Sequence, residues 1–296
     1  MTGTRPPRTG WGRSLRRGGL FLAAAASLGM FLGAQIRIDS LFADRGAGYR
    51  LLYLPSGKYL KIASLGFSQL WADVIYLWSI QFYSEPMNGE GRDYLQHIFG
   101  DVLAGLDPHF LDPYLTGALT MASEAGDVQM ALKLLEKGMD NNPASWILPA
   151  DAGFYAYLNL HDLELARAYF RRAMEIPGAP PVLSRLHAGM LGKLGDDNQA
   201  HRAWLEIYQQ AQDDYTRQIA YRHVHDLKID LDLSVIRRQV AGYQADRRGF
   251  PASLNALVRT GRLAALPVDP GGLAYRYDPP TGRVWCDTPY ELRRQA

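Results

Sequence analysis

The sequence has very little cysteine and almost no net charge, and both shortages exclude classes of protein. Cys286 is the only cysteine in 296 residues, so no disulfide can form within the chain. The formal net charge is only +2, and no basic stripe with interleaved aromatic residues occurs, so we expect no nucleic-acid partner. We expect Cys286 to be an ordinary small apolar residue in a strand. A reactive thiol and a disulfide to another chain remain its alternatives.

Motifs of catalysis and of cofactor binding are also missing. The sequence contains no G-x-S-x-G elbow, no glycine-rich phosphate loop, no H-E-x-x-H and no C-x-x-C-H. The best metal-like cluster is His223-Val224-His225-Asp226. Residues i and i+2 of a helix point roughly 200° apart, so the two imidazole rings cannot readily hold one ion. We therefore predict neither an enzyme nor a cofactor or metal site.

Acidic residues are absent before the first long apolar run, which arginines precede. Arg5, Arg8, Arg13, Arg16 and Arg17 come before the uncharged segment 18–36. As a helix this segment is about 28 Å long, close to the roughly 30 Å of a bilayer's hydrocarbon core. The sequence predicts a basic cytoplasmic tail (1–17) and a single-pass inner-membrane anchor (18–36), with all later residues in the periplasm.

A cleaved signal peptide is the alternative for this segment, because it has the same polarity. The best cleavage point follows Ala34, but it puts Leu32 at a position where a small residue is expected. We favour the uncleaved anchor. The run is rich in alanine and glycine and only moderately hydrophobic, so the cleaved form stays open.

A linker with a short extended segment is predicted over 37–64, and the helical region begins after it. Apolar residues recur at helical spacing over 66–84, and a second helix is predicted over 93–106. The segment 84–92 between them is rich in turn-forming residues and is predicted to be a loop. Asp107-Pro108 ends the second helix. We expect these two helices to form a divergent first unit of the helical region, which we place at 65–232.

An internal repeat follows, in three segments that begin at Gly126, His161 and Gly195. Ala131, Ala166 and Ala200 occupy one register, with spacings of 35 and 34. Four residues after each alanine comes a large residue, and five residues before it comes a turn residue. A period of 34 residues holds two antiparallel helices, in which the small residue allows a close crossing and the large one fills the neighbouring groove.

This pattern resembles the tetratricopeptide repeat (TPR) over about 110–210, which implies a mainly α fold, an α-solenoid of helical hairpins. The family favours a small residue twelve positions before the alanine, where this chain has Leu119, Phe154 and Ala188. We therefore expect looser packing between the first helices. The stretches 54–78, 145–154 and 176–181 also resemble exported single-pass TPR proteins of Gram-negative bacteria.

The C-terminal region, 233–296, has a different character. Two helices are predicted over 214–227 and 233–247, and a short helix and two strands, 273–278 and 283–286, follow. Gly249-Phe250-Pro251, a helix and the turn 267–272 resemble the C-terminal part of type II secretion pseudopilins. The tail is thus expected to be a small α+β module. Some pseudopilins bind calcium near here, but Asp269 and Asp278 have too little acidic company to predict it.

If the repeats stack, one face of each first helix lines a groove that can hold a partner peptide or helix. Counting back from the three alanines predicts a set of groove residues: Thr116, Thr120, Glu124, Asp151, Tyr155, Asn159, Arg185 and Lys193.

These features predict a membrane-anchored periplasmic scaffold that binds proteins, for an envelope assembly such as a pilus-like or secretion apparatus. A purely structural envelope protein is one alternative, and an accessory subunit of an envelope enzyme or a hydrolase is another. Its site would lie between the solenoid and the C-terminal module, with His223 or Asp269 in it. The sequence does not identify the partner or the oligomeric state.

Overall fold

The protein is mainly helical, with one small hairpin of strands near its C-terminus. The fold is that of a computed structural model, which describes residues 54–80 and 94–292 and six helical residues between Ala26 and Arg37. The helices are α1 (Gly57–Ala63), α2 (Ser68–Ser79), a π-helix (Gln96–Leu103), α3 (Ala104–Leu106), α4 (Leu111–Ser123), α5 (Val128–Asn141), α6 (Ile147–Leu158), α7 (Leu163–Met174), α8 (Val182–Lys193), α9 (Asp197–Gln210), α10 (Asp214–Arg247) and α11 (Asn255–Arg259).

The two strands, β1 (Arg276–Asp278) and β2 (Arg283–Trp285), pair antiparallel with Tyr277 opposite Val284. Among the described residues, no helix combines the length and the apolar character needed to cross a bilayer. The predicted anchor, 18–36, lies almost entirely outside the described residues.

Three helical hairpins, α4–α5, α6–α7 and α8–α9, form a stack in which each helix contacts the next. The repeat alanines Ala131, Ala166 and Ala200 are all fully buried in the second helices. The large residues four positions on, Leu135, Phe170 and Trp204, are buried as well. The first helices α4 and α6 also contact each other directly.

The turn inside each hairpin repeats in conformation as well as in sequence. Gly126, His161 and Gly195 all have positive φ, of 64°, 55° and 77°. The next residue is an aspartate whose side chain accepts the backbone N–H three positions on and so caps the second helix. These bonds are Asp127 to Met130, Asp162 to Leu165 and Asp196 to Gln199. The left-handed residue lies at the turn position that the sequence predicts and separates the two helices.

The third turn is one residue shorter than the other two. Residues 124–127 and 159–162 separate the helices of the first two hairpins, whereas only 194–196 separate α8 from α9. The small residue that lets each first helix pack closely is therefore Ala118, Gly153 or Ala188. All three are buried, and they are evenly spaced by 35 residues. A side chain at Gly153 would lie 2.7 Å from the ring of Phe170. In the first two hairpins the small residue of the first helix thus sits one position earlier than the family's register.

A single helix, α10, replaces the two helices predicted over 214–227 and 233–247. It runs for 34 residues from its cap at Asp213 to Arg248, which has φ 55°. Residues 228–232 contain neither glycine nor proline, and buried Ile229 and Leu233 continue the apolar face across the expected break. The boundary placed at 232 thus falls inside a continuous helix.

The long helix α10 serves both the stack and the C-terminal region. Its first half packs on α9, and Ile229, Leu233, Ile236 and Val240 form a core with α11 and the hairpin. Polar groups along it also hold the tail. Asp226 accepts the N–H groups of Glu291 and Leu292 at 2.8 and 2.9 Å. The hydroxyls of Tyr290 and Tyr275 donate to Asp230 and Asp232, both at 2.8 Å.

At the other end, α1 lies in the segment expected to be a linker. It docks through a contact between glycines, because a Cβ on Gly57 would come within 2.8 Å of the Cα of Gly105 and 2.4 Å of the carbonyl oxygen of Val102. Helix α2 contacts the π-helix and α3. The ring of Tyr76 also meets Phe110 edge to face, with 5.2 Å between centroids.

Candidate protein-binding surface

The most exposed apolar side chains of the hairpin stack lie on its first helices. Leu119 is 56% exposed, Phe154 39% and Leu158 60%. Leu119 and Phe154 each directly follow the small residue at the close approach, so they occupy equivalent positions on α4 and α6. Val182 at the start of α8 is exposed as well. Leu119, Phe154 and Leu158 are called the apolar row below.

The apolar row is held in place by the packing beneath it. The Phe154 ring meets buried Phe170 edge to face, with 5.3 Å between centroids. Gly117 and Gly153 bring the backbones of α4 and α6 against Phe99, Leu134 and Phe170. Because their backbones are seated so closely, these helices present the apolar row on a rigid support.

Six of the eight predicted groove residues lie on α4, α6 and the turns after them, and they differ in accessibility. Thr120 is only 2% exposed, and its hydroxyl donates to the carbonyl of Thr116 at 2.9 Å. Thr116 is half-buried and shares a 2.9 Å hydrogen bond with the hydroxyl of Tyr76. Glu124 and Asn159 are exposed just beyond the ends of their helices. Thr120 thus belongs to the core rather than to an accessible groove.

Asp151 and Tyr155 are both half-buried and lie one turn apart on α6. Burial raises the pKa of Asp151. Burial, together with the negative charge of Asp151, raises the pKa of Tyr155 to about 12. A half-buried carboxylate beside Phe154 and Leu158 favours a partner that brings a positive charge or a hydrogen-bond donor to it.

Arg185 and Lys193, the two predicted residues on α8, are engaged with neighbouring helices. Arg185 donates a 2.7 Å hydrogen bond to the hydroxyl of Thr216 in α10, and its guanidinium lies 5.8 Å from the ring centroid of Tyr215. The Lys193 ammonium lies 4.6 Å from the ring centroid of Tyr157 and donates to its hydroxyl. Both residues join successive units of the stack.

The residues of the alternative enzymatic site have partners within the fold. The His223 ring stacks on Trp204 with 3.9 Å between centroids, and burial lowers its pKa. Asp269 is buried and accepts hydrogen bonds from Thr288, Cys286 and the N–H of Leu273. Its burial acts to raise its pKa, but these bonds outweigh that effect and lower it.

Cys286 follows directly after β2, and its thiol lies 3.1 Å from Asp269. Burial and the Asp269 carboxylate raise the pKa of Cys286 to about 11, so the thiolate is scarce at neutral pH. Over the part of the chain that the structure describes, no group of three or more His, Cys, Asp or Glu side chains could hold a metal ion.

No protein-family model matches the chain, and no curated protein is significantly similar to it. The fold and the arrangement of side chains therefore carry the functional argument alone.

The predicted set of groove residues does not include the apolar row, because that set was counted back from the alanines of the second helices. The small residues of the first helices, Ala118, Gly153 and Ala188, are the better reference, since their 35-residue spacing does not depend on the length of the turn. Counting one position on from the first two gives Leu119 and Phe154. The signal was in the sequence, but the shortened third turn hid it.

Proposed function

We propose that this protein is a membrane-anchored, TPR-type scaffold that binds other proteins through the apolar row. The observation that carries the proposal is the exposure of Leu119, Phe154 and Leu158 on the closely seated first helices α4 and α6. Soluble proteins expose single apolar residues commonly, but a row of them on neighbouring repeats is typical of a binding surface. An apolar peptide or amphipathic helix is the kind of partner that such a row accepts.

The repeat supports membership of the TPR class. Helical hairpins of 34–35 residues, buried alanines at a fixed register and a positive-φ turn residue are the features in favour of it. In this proposal the stack is a short solenoid, and the first half of α10 covers its last hairpin as a cap.

The proposed location is the periplasmic side of an inner membrane, with segment 18–36 as the single span. The arginines before it support this orientation. The C-terminal module, with its resemblance to pseudopilins, supports a role in an envelope assembly such as a pilus-like or secretion apparatus.

Site-specific photocrosslinking tests the binding surface. A benzoylphenylalanine is placed at Leu158 or, as the control, at Ala168, which is exposed on the second helix of the same hairpin. We expect the Leu158 probe to capture a reproducible set of envelope proteins that the Ala168 probe does not capture. Identical products from both positions would reject the apolar row as the binding site.

Charge substitutions then measure what the surface contributes. Leu119→Glu with Leu158→Glu should weaken binding of a captured partner by roughly tenfold or more, because a central apolar contact contributes at least that much. Leu273→Glu is the matched control, since Leu273 is also exposed but lies in the C-terminal module. Unchanged binding of the double variant would contradict the proposal.

Protease digestion of spheroplasts tests the location separately. If segment 18–36 spans the membrane in the proposed direction, protease added outside degrades the chain beyond residue 37 and leaves the tail 1–17 protected. Full protection of the intact chain would reject the periplasmic placement.

A further inference from the structure

A broad apolar surface lies at the N-terminal end of the stack. Six large side chains on or next to α2 are between 40% and 64% exposed: Phe67, Leu70, Trp71, Val74, Leu77 and Trp78. Tyr59 and Ile62 on α1 are 65% and 71% exposed. The six side chains on or next to α2 are called the aromatic face below.

The aromatic face lies on the side of α2 opposite its buried stripe. Ala72, Ile75 and Ser79 are buried, and Tyr76 hydrogen-bonds to Thr116 on the same side. These positions recur every three or four residues, so they form one stripe along the helix. Leu70, Trp71, Val74 and Leu77 lie on the other side, and a helix apolar on both sides has a second surface to bury.

The composition of the aromatic face matches the boundary of a lipid bilayer. Tryptophan, tyrosine and phenylalanine rings are preferred at the level of the lipid headgroups, with aliphatic side chains just below. Lys58 and Lys61 are exposed on α1 and carry positive charge, while Asp73 is the exposed acidic residue on α2. Lysines close to a membrane surface attract anionic lipids.

The position of the aromatic face in the chain supports the same occupant. Segment 37–53 connects it to the predicted anchor and spans at most roughly 60 Å when fully extended. An apolar face tethered this close to a bilayer meets lipid at high effective concentration.

We infer that the aromatic face of α2 lies in the interfacial layer of a lipid bilayer, with Trp71 and Trp78 at headgroup depth. This contact rests on the membrane placement proposed above and adds a second, peripheral attachment. It would hold the hairpin stack at a defined angle to the membrane.

Quenching by brominated lipids tests this inference on the full chain. The protein is reconstituted into vesicles of phosphatidylcholine and phosphatidylglycerol whose acyl chains carry bromine at carbons 6 and 7. Trp11 precedes the predicted anchor, so Trp11→Phe is the reference background. We expect bromine to quench part of the reference emission, and Trp71→Phe with Trp78→Phe to remove the quenchable part. Trp146→Phe with Trp204→Phe, as the control pair, should raise the quenched share.

Two results would overturn the inference. One is quenching that persists in the Trp71→Phe/Trp78→Phe variant. The other is no quenching in the reference, which would mean that a second copy, another protein or solvent covers this face. Neither result bears on the photocrosslinking at Leu158, so the proposed partner binding stands or falls separately.

A further variant tests the contact itself. Leu70→Glu with Leu77→Glu places charge on the aromatic face at two exposed positions, so the fold should keep its far-ultraviolet circular dichroism spectrum. We expect quenching of Trp71 and Trp78 to be lost, because a carboxylate is costly at that depth. Retained quenching with an unchanged spectrum would contradict an interfacial position.

Discussion

The hydroxyl of Tyr275 donates a 2.8 Å hydrogen bond to the carboxylate of Asp232, which joins the C-terminal region to the long helix α10. Tyr275 is buried, and burial followed by this bond to Asp232 raises its pKa. Tyr275→Phe removes only the hydroxyl and leaves Asp232 paired with Lys228. We expect the free energy of unfolding to fall by about 1–2 kcal/mol in urea denaturation.

Tyr208→Phe is the control for that measurement, because Tyr208 is exposed on the surface of α9. Its loss of a hydroxyl should change stability by less than about 0.5 kcal/mol. Equal effects of the two substitutions would mean that the bond to Asp232 does not hold the C-terminal region to α10.

The hairpin turns predict opposite effects at equivalent positions. His161 has φ 55°, a conformation that costs an L-residue roughly 1–2 kcal/mol and glycine almost nothing. His161→Gly should therefore stabilise the fold by about 0.5–1 kcal/mol after the entropy cost of glycine. Gly195→Ala, at φ 77°, should destabilise it by about 1 kcal/mol or more. Thermal and urea unfolding measure both, and the same sign for both would contradict the equivalence of the turns.

The third hairpin and α10 predict loss of stability in mild acid. Burial is the main cause that lowers the pKa of His187, His201 and His223 from the ordinary value of 6.5. Because the unfolded chain binds these protons more readily, stability is full above about pH 6.5 and falls as the pH drops through the lowered values.

Urea denaturation at pH 7.5 and at pH 5 measures this loss. A triple variant, His187→Gln, His201→Gln and His223→Gln, should lose less stability between the two pH values than the parent protein does, whatever its stability at pH 7.5. The same pH dependence in both proteins would show that these histidines are not its source.

The docking of α1 predicts a local effect at Gly57. A methyl group there would come within 2.4 Å of the Val102 carbonyl, a distance that backbone atoms cannot accept without moving. Gly57→Ala should detach α1 and make the segment 57–66 an early site of limited proteolysis. Gly100→Ala is the control in the same region, since a methyl group there meets no atom within 4 Å. Equal proteolysis of the two variants would contradict the docking.

The sequence predicted the second helices better than the first helices. The alanine register, the large partners and the positive-φ turns were readable because each needs a specific residue type at a fixed spacing. The exposed surface of the first helices could not be predicted in this way, because an error of one residue in the register rotates the predicted face by about 100°. Because of this one-residue error, Thr120 was predicted to line the groove but is buried, whereas Leu119 was assigned to a packed position but is exposed.

Long-range contacts explain the other differences. The break inside α10 was predicted from the local sequence pattern alone. In the structure, Ile229 and Leu233 are buried in the C-terminal core and keep the helix continuous. The docking of α1 depends on two glycines 48 positions apart, Gly57 and Gly105. Asp226 holds the C-terminal residues through hydrogen bonds from backbone N–H groups, which every residue except proline has. No local pattern marks such partners.

The unbroken helix α10 is a shared support for the hairpin stack and the C-terminal region. Helix α9 packs on its first half, and the core of the C-terminal region forms around residues 229–240 of the same helix. A force applied to the β-hairpin would pass through α10 into the hairpin stack, since α10 contains no proline to act as a joint. The two parts would therefore move as one body under load.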